Sequence, residues 1–423
     1  MRLSNSLAKC INTKALIIDL SGNNEIGIEG AFDIGTGLQE LINLTMLTLD
    51  LSQNQINGQG AAGIAEGLAY QVNLTYFEFN LEDDNNINEQ GASDLIIGVS
   101  NCLNLTYLVL EISRYNSIGD LGTSQLGQGL ANCLNLTDLE LNLSGYNNIS
   151  NDGSSDLGLA LGKCQNLQNL TLQINYNNIC NEGISGLSKG LTNCKNLSKF
   201  SLDVSGENNI SCKGASGLGQ NLNQFQNLTE LELKLNENSI LGIGATDLGT
   251  GLGNCKNIIS ITLDLSGENK IGKKGAKGLG IGLGKNQNLK TLDLNLKGNN
   301  IEDEGASQLF EGLGGCRGLV NLTLDLSGIN NIVNDSTSHI ATGLGKCQNL
   351  KFLKLNLFDN YLSDEGIDGL SIGLQSCKSL STLIIDLQAY FTINDEIHAG
   401  LGNRLKNHQN LTCLILNLTG PMY

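Results

Sequence analysis

The chain has 423 residues, with 25 lysines and arginines against 42 aspartates and glutamates, a net charge of −17, 53 glycines, one proline and no tryptophan. Such a field repels phosphate backbones and anionic lipid, which argues against nucleic acid and membrane surfaces as partners and for a basic protein patch. No stretch of 18 apolar residues occurs and the first fourteen residues lack the apolar core of a secretory signal, so a cytoplasmic protein with twelve reduced cysteines is expected.

In chain order, Leu3, Leu7 and Cys10 match the helix positions found later at Leu126, Leu130 and Cys133, so the chain starts inside a repeat. A degenerate strand begins at Thr13, with Leu16, Ile18 and Leu20 in the apolar slots. The unit L-x-x-L-x-L-x-L, preceded in most copies by Asn, then recurs from Leu44, Leu74, Leu105, Leu136, Leu167, Leu197, Leu228, Ile258, Leu289, Leu319, Leu350, Leu380 and Leu411, at spacings of 30 or 31 residues. Alternation of apolar and polar residues predicts a strand buried on one face, and fourteen such strands in all.

After each strand comes a loop of five or six steps, as from Leu51 to Ile56 or from Leu143 to Ile149. An asparagine stands two residues before the apolar loop position in twelve of thirteen repeats, from Asn24 and Asn54 to Asn330 and Asn360, with Phe391 breaking the column. A buried asparagine there is expected to bond the backbone of its own turn and of the next. Four residues beyond the apolar position stands glycine, as in Gly60-Ala61, Gly214-Ala215 and Gly305-Ala306, read as a tight helix entry. The helix that follows carries leucines four apart, such as Leu279 and Leu283, facing the strands.

The order strand, asparagine loop, Gly-Ala, helix resembles the ribonuclease-inhibitor type of leucine-rich repeat over essentially the whole chain, taken as one array from 1 to 423. The unit here is about two residues longer than that family's, because the strand carries an extra x-L pair. The resemblance implies an α/β solenoid, a horseshoe with an inner parallel sheet of about fourteen strands and outer helices, and a concave protein-binding face. A longer period lies on top: segments beginning at Asn142, Asp203, Asp264 and Asp325 repeat every 61 residues, as growth by duplication of repeat pairs would give. Neither end carries a polar cap, so the ends are expected either to pair with something or to continue into a longer protein.

Residues that could carry chemistry reduce to structure. Nine cysteines (Cys10, Cys102, Cys133, Cys164, Cys194, Cys255, Cys316, Cys347 and Cys377) occupy one column, three residues before the strand unit, in a slot that Leu41, Phe225 and His408 also fill. They have no C-x-x-C or Cys/His spacing, so buried thiols are expected and no metal. Cys180, Cys212 and Cys413 lie off the column. Asn-Leu-Thr triplets at Asn43, Asn73, Asn104, Asn135, Asn227 and Asn410 are strand entries rather than glycosylation sites in a cytoplasmic protein. Gly58 to Gly63 matches G-x-G-x-x-G only through the repeat glycine, and no P-loop or kinase signature occurs. His339, His398 and His408 lie in different repeats without nucleophiles. No catalytic set and no cofactor site is expected, hence no enzyme.

The outward strand columns remain. The third runs Asp19, Asp50, Asn80, Glu111, Asn142, Gln173, Asp203, Lys234, Asp264, Asn295, Asp325, Asn356, Asp386 and Asn417, with seven of fourteen acidic, which predicts a negative face along the array. Tyr76 and Glu78, then Tyr107, Val109 and Glu111, then Asp138 and Glu140 set large anchors among carboxylates, the composition of a protein-binding hot spot. Glu230, Glu232 and Asp203 form a second, acidic group. The expected function is a non-enzymatic scaffold that holds a basic protein partner. A second reading is the sensor region of a larger signalling protein of kinase or nucleotide-binding type. A third is a leucine-rich-repeat GTPase-activating protein, against which stands the ending Leu418-Thr-Gly-Pro-Met-Tyr423 in place of an acidic tail.

Overall fold

A computed structural model describes residues 2–83, 85–334, 336–387, 405 and 409–417. The chain divides into an N-terminal unit, Met1–Asn209, and a C-terminal unit, Ile210–Tyr423. The N-terminal unit carries strands β1 (Ala15–Asp19), β2 (Met46–Asp50), β3 (Tyr76–Asn80), β4 (Tyr107–Glu111), β5 (Asp138–Asn142), β6 (Asn169–Gln173) and β7 (Lys199–Asp203). The C-terminal unit carries β8 (Glu230–Lys234), β9 (Ser260–Asp264), β10 (Thr291–Asn295), β11 (Asn321–Asp325), β12 (Phe352–Asn356), β13 (Thr382–Asp386) and β14 (Cys413–Asn417). Within each unit the strands pair in sequence order and in parallel, each joined to the next by a crossover that contains a helix, except that the segment between β13 and β14 lies largely outside the described residues. Among the described residues the fold is therefore an α/β solenoid of fourteen parallel strands.

Register follows from the apolar columns. Leu47 pairs with Phe77, Phe77 with Leu108, and Leu108 with Leu139, so each buried side chain stacks on its counterpart in the next repeat. The second and fourth residues of a typical strand are buried against the helices, and the first, third and fifth stay partly open on the helix-free face.

The helices begin earlier than the glycine signal suggests. Asn57–Leu68 and Glu302–Leu313 start directly after the apolar loop residue, so Gly60 and Gly305 lie in the first turn rather than before it. The glycine beat serves helix-to-helix approach instead, since a Cβ on Gly305 would stand 2.7 Å from Lys273 Cα of the preceding helix, and a second glycine column near the helix ends does the same. A Cβ on Gly251 would stand 2.0 Å from the Gly219 carbonyl oxygen, and one on Gly282 2.0 Å from that of Gly249, closer than any side chain allows.

The asparagine column bonds as expected in kind but in the opposite direction along the stack. Asn330 Nδ2 donates to its own turn (Leu326 O 3.0 Å, Ser327 O 3.0 Å) and to Leu296 O of the preceding repeat (2.9 Å). Its Oδ1 accepts from Asn299 N (2.9 Å) and Ile301 N (3.2 Å), also of the preceding repeat. An inward loop thereby keeps its polar backbone satisfied without water.

The cysteine column proves to be a donor column. The thiols of Cys102, Cys164, Cys194, Cys255, Cys316 and Cys347 donate to Leu68, Leu130, Leu161, Leu222, Leu283 and Leu313 carbonyls at the end of the preceding repeat's helix, at 3.1–3.6 Å. Where cysteine is replaced, an amide does the same: Gln71 Nε2 donates to Leu38 O (2.6 Å) and Asn286 Nδ2 to Leu252 O (2.8 Å). These bonds give a second donor to helix C-terminal carbonyls that already accept a backbone N–H three residues on, and so tie each helix end to the next repeat. Cys10 departs from the buried-column expectation, being exposed in the first repeat, with its thiol facing Ser6 O at 3.6 Å.

A stacked tyrosine pair among carboxylates

On the helix-free face of the N-terminal unit, strand register sets Tyr76, Tyr107 and Asp138 in one row, Glu78, Val109 and Glu140 in a second, and Asn80, Glu111 and Asn142 in a third. The structure thus brings together six of the nine residues singled out from the sequence. The Tyr76 and Tyr107 rings stack, with centroids 4.8 Å apart and planes 5° from parallel. Tyr107 Oη donates to Glu140 Oε1 at 2.7 Å, and Tyr76 Oη to Glu78 Oε2 at 3.1 Å. Asn142 Nδ2 donates to Glu111 (2.7 Å), Thr137 Oγ1 donates to Asp138 (2.6 Å), and Asn169 Nδ2 also donates to Asp138. Each phenol is held in place by an ionised partner, which fixes the ring without covering it.

The electrostatics follow from this crowding. The hydrogen bond to Glu140, with burial and nearby carboxylates, pushes the Tyr107 hydroxyl well above its ordinary pKa, and burial followed by Glu78 raises that of Tyr76. Burial raises the Glu111 carboxyl, assisted by Glu82, Glu140 and Glu78 and opposed by the Asn142 bond. Val109 was expected to face outward with the hot spot; its column position is outward but the residue is only 8% exposed, flanked in register by Glu78 and Glu140. It forms a covered floor rather than a contact.

The members of the second acidic group are divided between the two units. Asp203 ends β7 of the N-terminal unit and accepts from Ser205 N (3.0 Å) and Oγ (2.6 Å). Glu230 and Glu232 belong to β8 of the C-terminal unit, where Lys234 Nζ lies 3.2 Å from Glu232.

The third outward column is a hydrogen-bonded ladder. Asp264 accepts from Ser266 N (2.8 Å) and Asn295 Nδ2 (3.1 Å), and Asp325 from Ser327 N (2.8 Å) and Asn356 Nδ2 (2.9 Å). Alternating acid and amide places a donor beside each of these carboxylates and avoids like charges at strand spacing. That is a physical reason for the 61-residue period, beyond duplication.

Sequence reasoning missed a second aromatic group. Tyr115, Tyr146 and Tyr176 each stand just before the asparagine column in successive repeats; the first two rings stack at 5.5 Å, and Tyr176 lies tilted against Tyr146 at 6.0 Å. All three have left-handed backbone, and they are 60%, 52% and 38% exposed. Arg114 beside them pairs with Glu82 (3.2 Å) and Asp83 (3.5 Å). The backbone of Gly206 (φ 66°) lies against the Tyr176 ring, where a Cβ would come within 2.5 Å. The signal was present as Tyr-Asn in three consecutive loops.

No protein-family model matches the sequence, and no curated protein matches it. Among solved structures the chain is similar to one titled "Crystal structure of Rad7 and Elc1 complex in yeast", at 15% identity and a TM-score of 0.45, over 97% of this chain and 86% of that one.

Among the described residues no group of three or more His, Cys, Asp and Glu side chains could hold a metal ion, and no helix is long and apolar enough to cross a membrane. His398 and His408 lie outside the described residues. Burial pushes the thiols of Cys102, Cys133, Cys194, Cys255, Cys316 and Cys377 up to about 12, the opposite of an activated nucleophile.

Proposed function

We propose that the chain is a protein-interaction scaffold of the ribonuclease-inhibitor-like kind, without catalytic activity, that binds a basic protein through Tyr76, Glu78, Tyr107, Glu111, Asp138 and Glu140. The observation that carries this reading is the stacked tyrosine pair held by carboxylates on a rigid sheet. Preorganised aromatic anchors lose little entropy on binding, and the surrounding carboxylates select cationic partners and raise their rate of encounter. A net charge of −14 for residues 1–209, from 22 acidic and 8 basic residues, adds long-range attraction for such a partner. Asp203, Glu230 and Glu232 are secondary members, contributing field rather than anchors.

The test compares proteins retained from cell extract by the intact chain and by a Tyr76→Ala, Tyr107→Ala, Glu111→Lys variant. Each anchor is expected to cost about 2 kcal/mol or more. Basic proteins are therefore retained by the first and lost by the second. Equal retention by both would assign this face to ordinary solvated surface.

A further inference from the structure

Charge in this protein is segregated rather than uniform. Residues 210–423 carry 20 acidic and 17 basic residues, a net of only −3, and seven of the basic residues line one edge. Between the helix ending at Gly253 and the strand ending at Asp386, five segments run from a helix into the next strand: 254–259, 284–290, 314–320, 346–351 and 375–381. They hold Lys256, Lys285, Lys290, Arg317, Lys346, Lys351 and Lys378, and not one carboxylate. All seven are exposed, and among the described residues none of them forms an ion pair.

The row is built on a rigid backbone. Asn288 Nδ2 donates to Lys256 O (2.9 Å), Asn349 Nδ2 to Arg317 O (2.8 Å) and Asn410 Nδ2 to Lys378 O (2.9 Å). Lys256, Arg317 and Lys378 recur every 61 residues, as do the pairs Lys285–Lys346 and Lys290–Lys351. With strands about 4.8 Å apart, the seven cations span roughly 19 Å. Compensation of helix C-terminal dipoles accounts for Lys285 and Lys346, which stand at helix ends. It does not account for the others, because the position of Lys256 is filled in the N-terminal unit by Ile42, Val72, Leu103, Leu134 and Gln165 and is basic there at Lys195, whose Nζ donates to Thr192 O (2.8 Å).

We propose that this helix-to-strand edge of the C-terminal unit, from Lys256 to Lys378, docks an acidic polypeptide segment in extended conformation. About six residues of extended chain cover the row, and carboxylates on one side of such a chain repeat at about 7 Å. A short acidic segment feels the local edge, since charges farther than about 8–10 Å are screened at physiological salt. A long polyanion also meets the field of the whole acidic chain and is repelled. Six of the seven are lysines, which suit carboxylates that arrive as point charges rather than a planar ligand held by a guanidinium fork.

The test uses the full-length chain, a fluorescent peptide of about twelve residues alternating Glu and Gly, and a DNA duplex of similar charge as competitor. A Lys256→Glu, Arg317→Glu, Lys378→Glu variant is expected to lose at least tenfold in peptide affinity. A Lys273→Glu, Lys274→Glu, Lys277→Glu variant, of identical net charge but altered on the helix Gly272–Leu283, is expected to change less than twofold. Tyr76→Ala with Tyr107→Ala leaves peptide binding intact, which separates this edge from the tyrosine face. Equal losses in the two charge variants would overturn the proposal by reducing it to net charge. Tighter binding of the duplex through the same three residues would overturn it in favour of phosphate recognition.

Discussion

Single side chains decide whether successive repeats can stack. Asn330 makes five hydrogen bonds that join two turns in a buried loop. Asn330→Ala leaves several backbone groups unpaired away from water and is expected to cost about 3 kcal/mol or more, read as a lowered urea midpoint. Leu241 works against stability: its φ is 59°, at a position where Gly27, Gly119 and Gly272 are also left-handed, and its side chain is 38% exposed. Leu241→Gly should raise stability by about 1 kcal/mol, whereas Leu241→Ala, which keeps the steric penalty, should give no gain. The thiols sort by burial. An alkylating reagent is expected to modify Cys10 and Cys413 in the native protein, and Cys102, Cys133, Cys164, Cys194, Cys255, Cys316, Cys347 and Cys377 only after unfolding. Burial pushes six of these eight up to about 12 and the remaining two to about 11. Between the ordinary thiol value and these raised ones the folded state holds protons that the unfolded state has lost. Stability is therefore unaffected by these groups below about pH 9 and falls as pH rises above it, by at most about 1.4 kcal/mol per unit for each thiol. A Cys316→Ala variant should show a shallower alkaline loss.

At the scale of strands and helices, the repeat was legible because its periods are strict. Alternating leucines fixed strand register, and leucines four apart fixed the helix face. What could not be read was why two small-residue columns exist. Glycine near a helix start looks the same whether it eases a turn or admits a neighbouring helix, and only the 2.5 Å that a Cβ on Gly91 would leave to Gly58 Cα distinguishes them. Gly251→Ala should accordingly cost about 1–3 kcal/mol through overpacking, although alanine is the better helix former. Likewise a column of cysteines reads as core, because Leu41 and Phe225 share the slot; its second role as donor emerges once Gln71 and Asn286 are seen reaching equivalent carbonyls. The tyrosine pair was legible through strand register. The Tyr115–Tyr146–Tyr176 group was not, since loops carry no periodic apolar signal.

For the molecule as a whole, net charge misleads, because the excess of acid over base lies in residues 1–209 and seven of the basic residues of the remainder line one edge. The tyrosine face should show this in its pH response. Since Glu111 protonates above the ordinary carboxylate range, binding of a basic partner weakens as pH falls toward that range from neutrality. The central claim is that the Tyr76–Tyr107 pair is the contact. Hydroxyl-radical footprinting of the chain, alone and bound to the basic proteins it retains, tests this most directly, because tyrosines at several places report at once. The account predicts that oxidation of Tyr76 and Tyr107 falls severalfold on binding while Tyr361 is unchanged. Unaltered Tyr76 and Tyr107 alongside protection of Tyr115 and Tyr146 would contradict it and move the contact to the loop tyrosines.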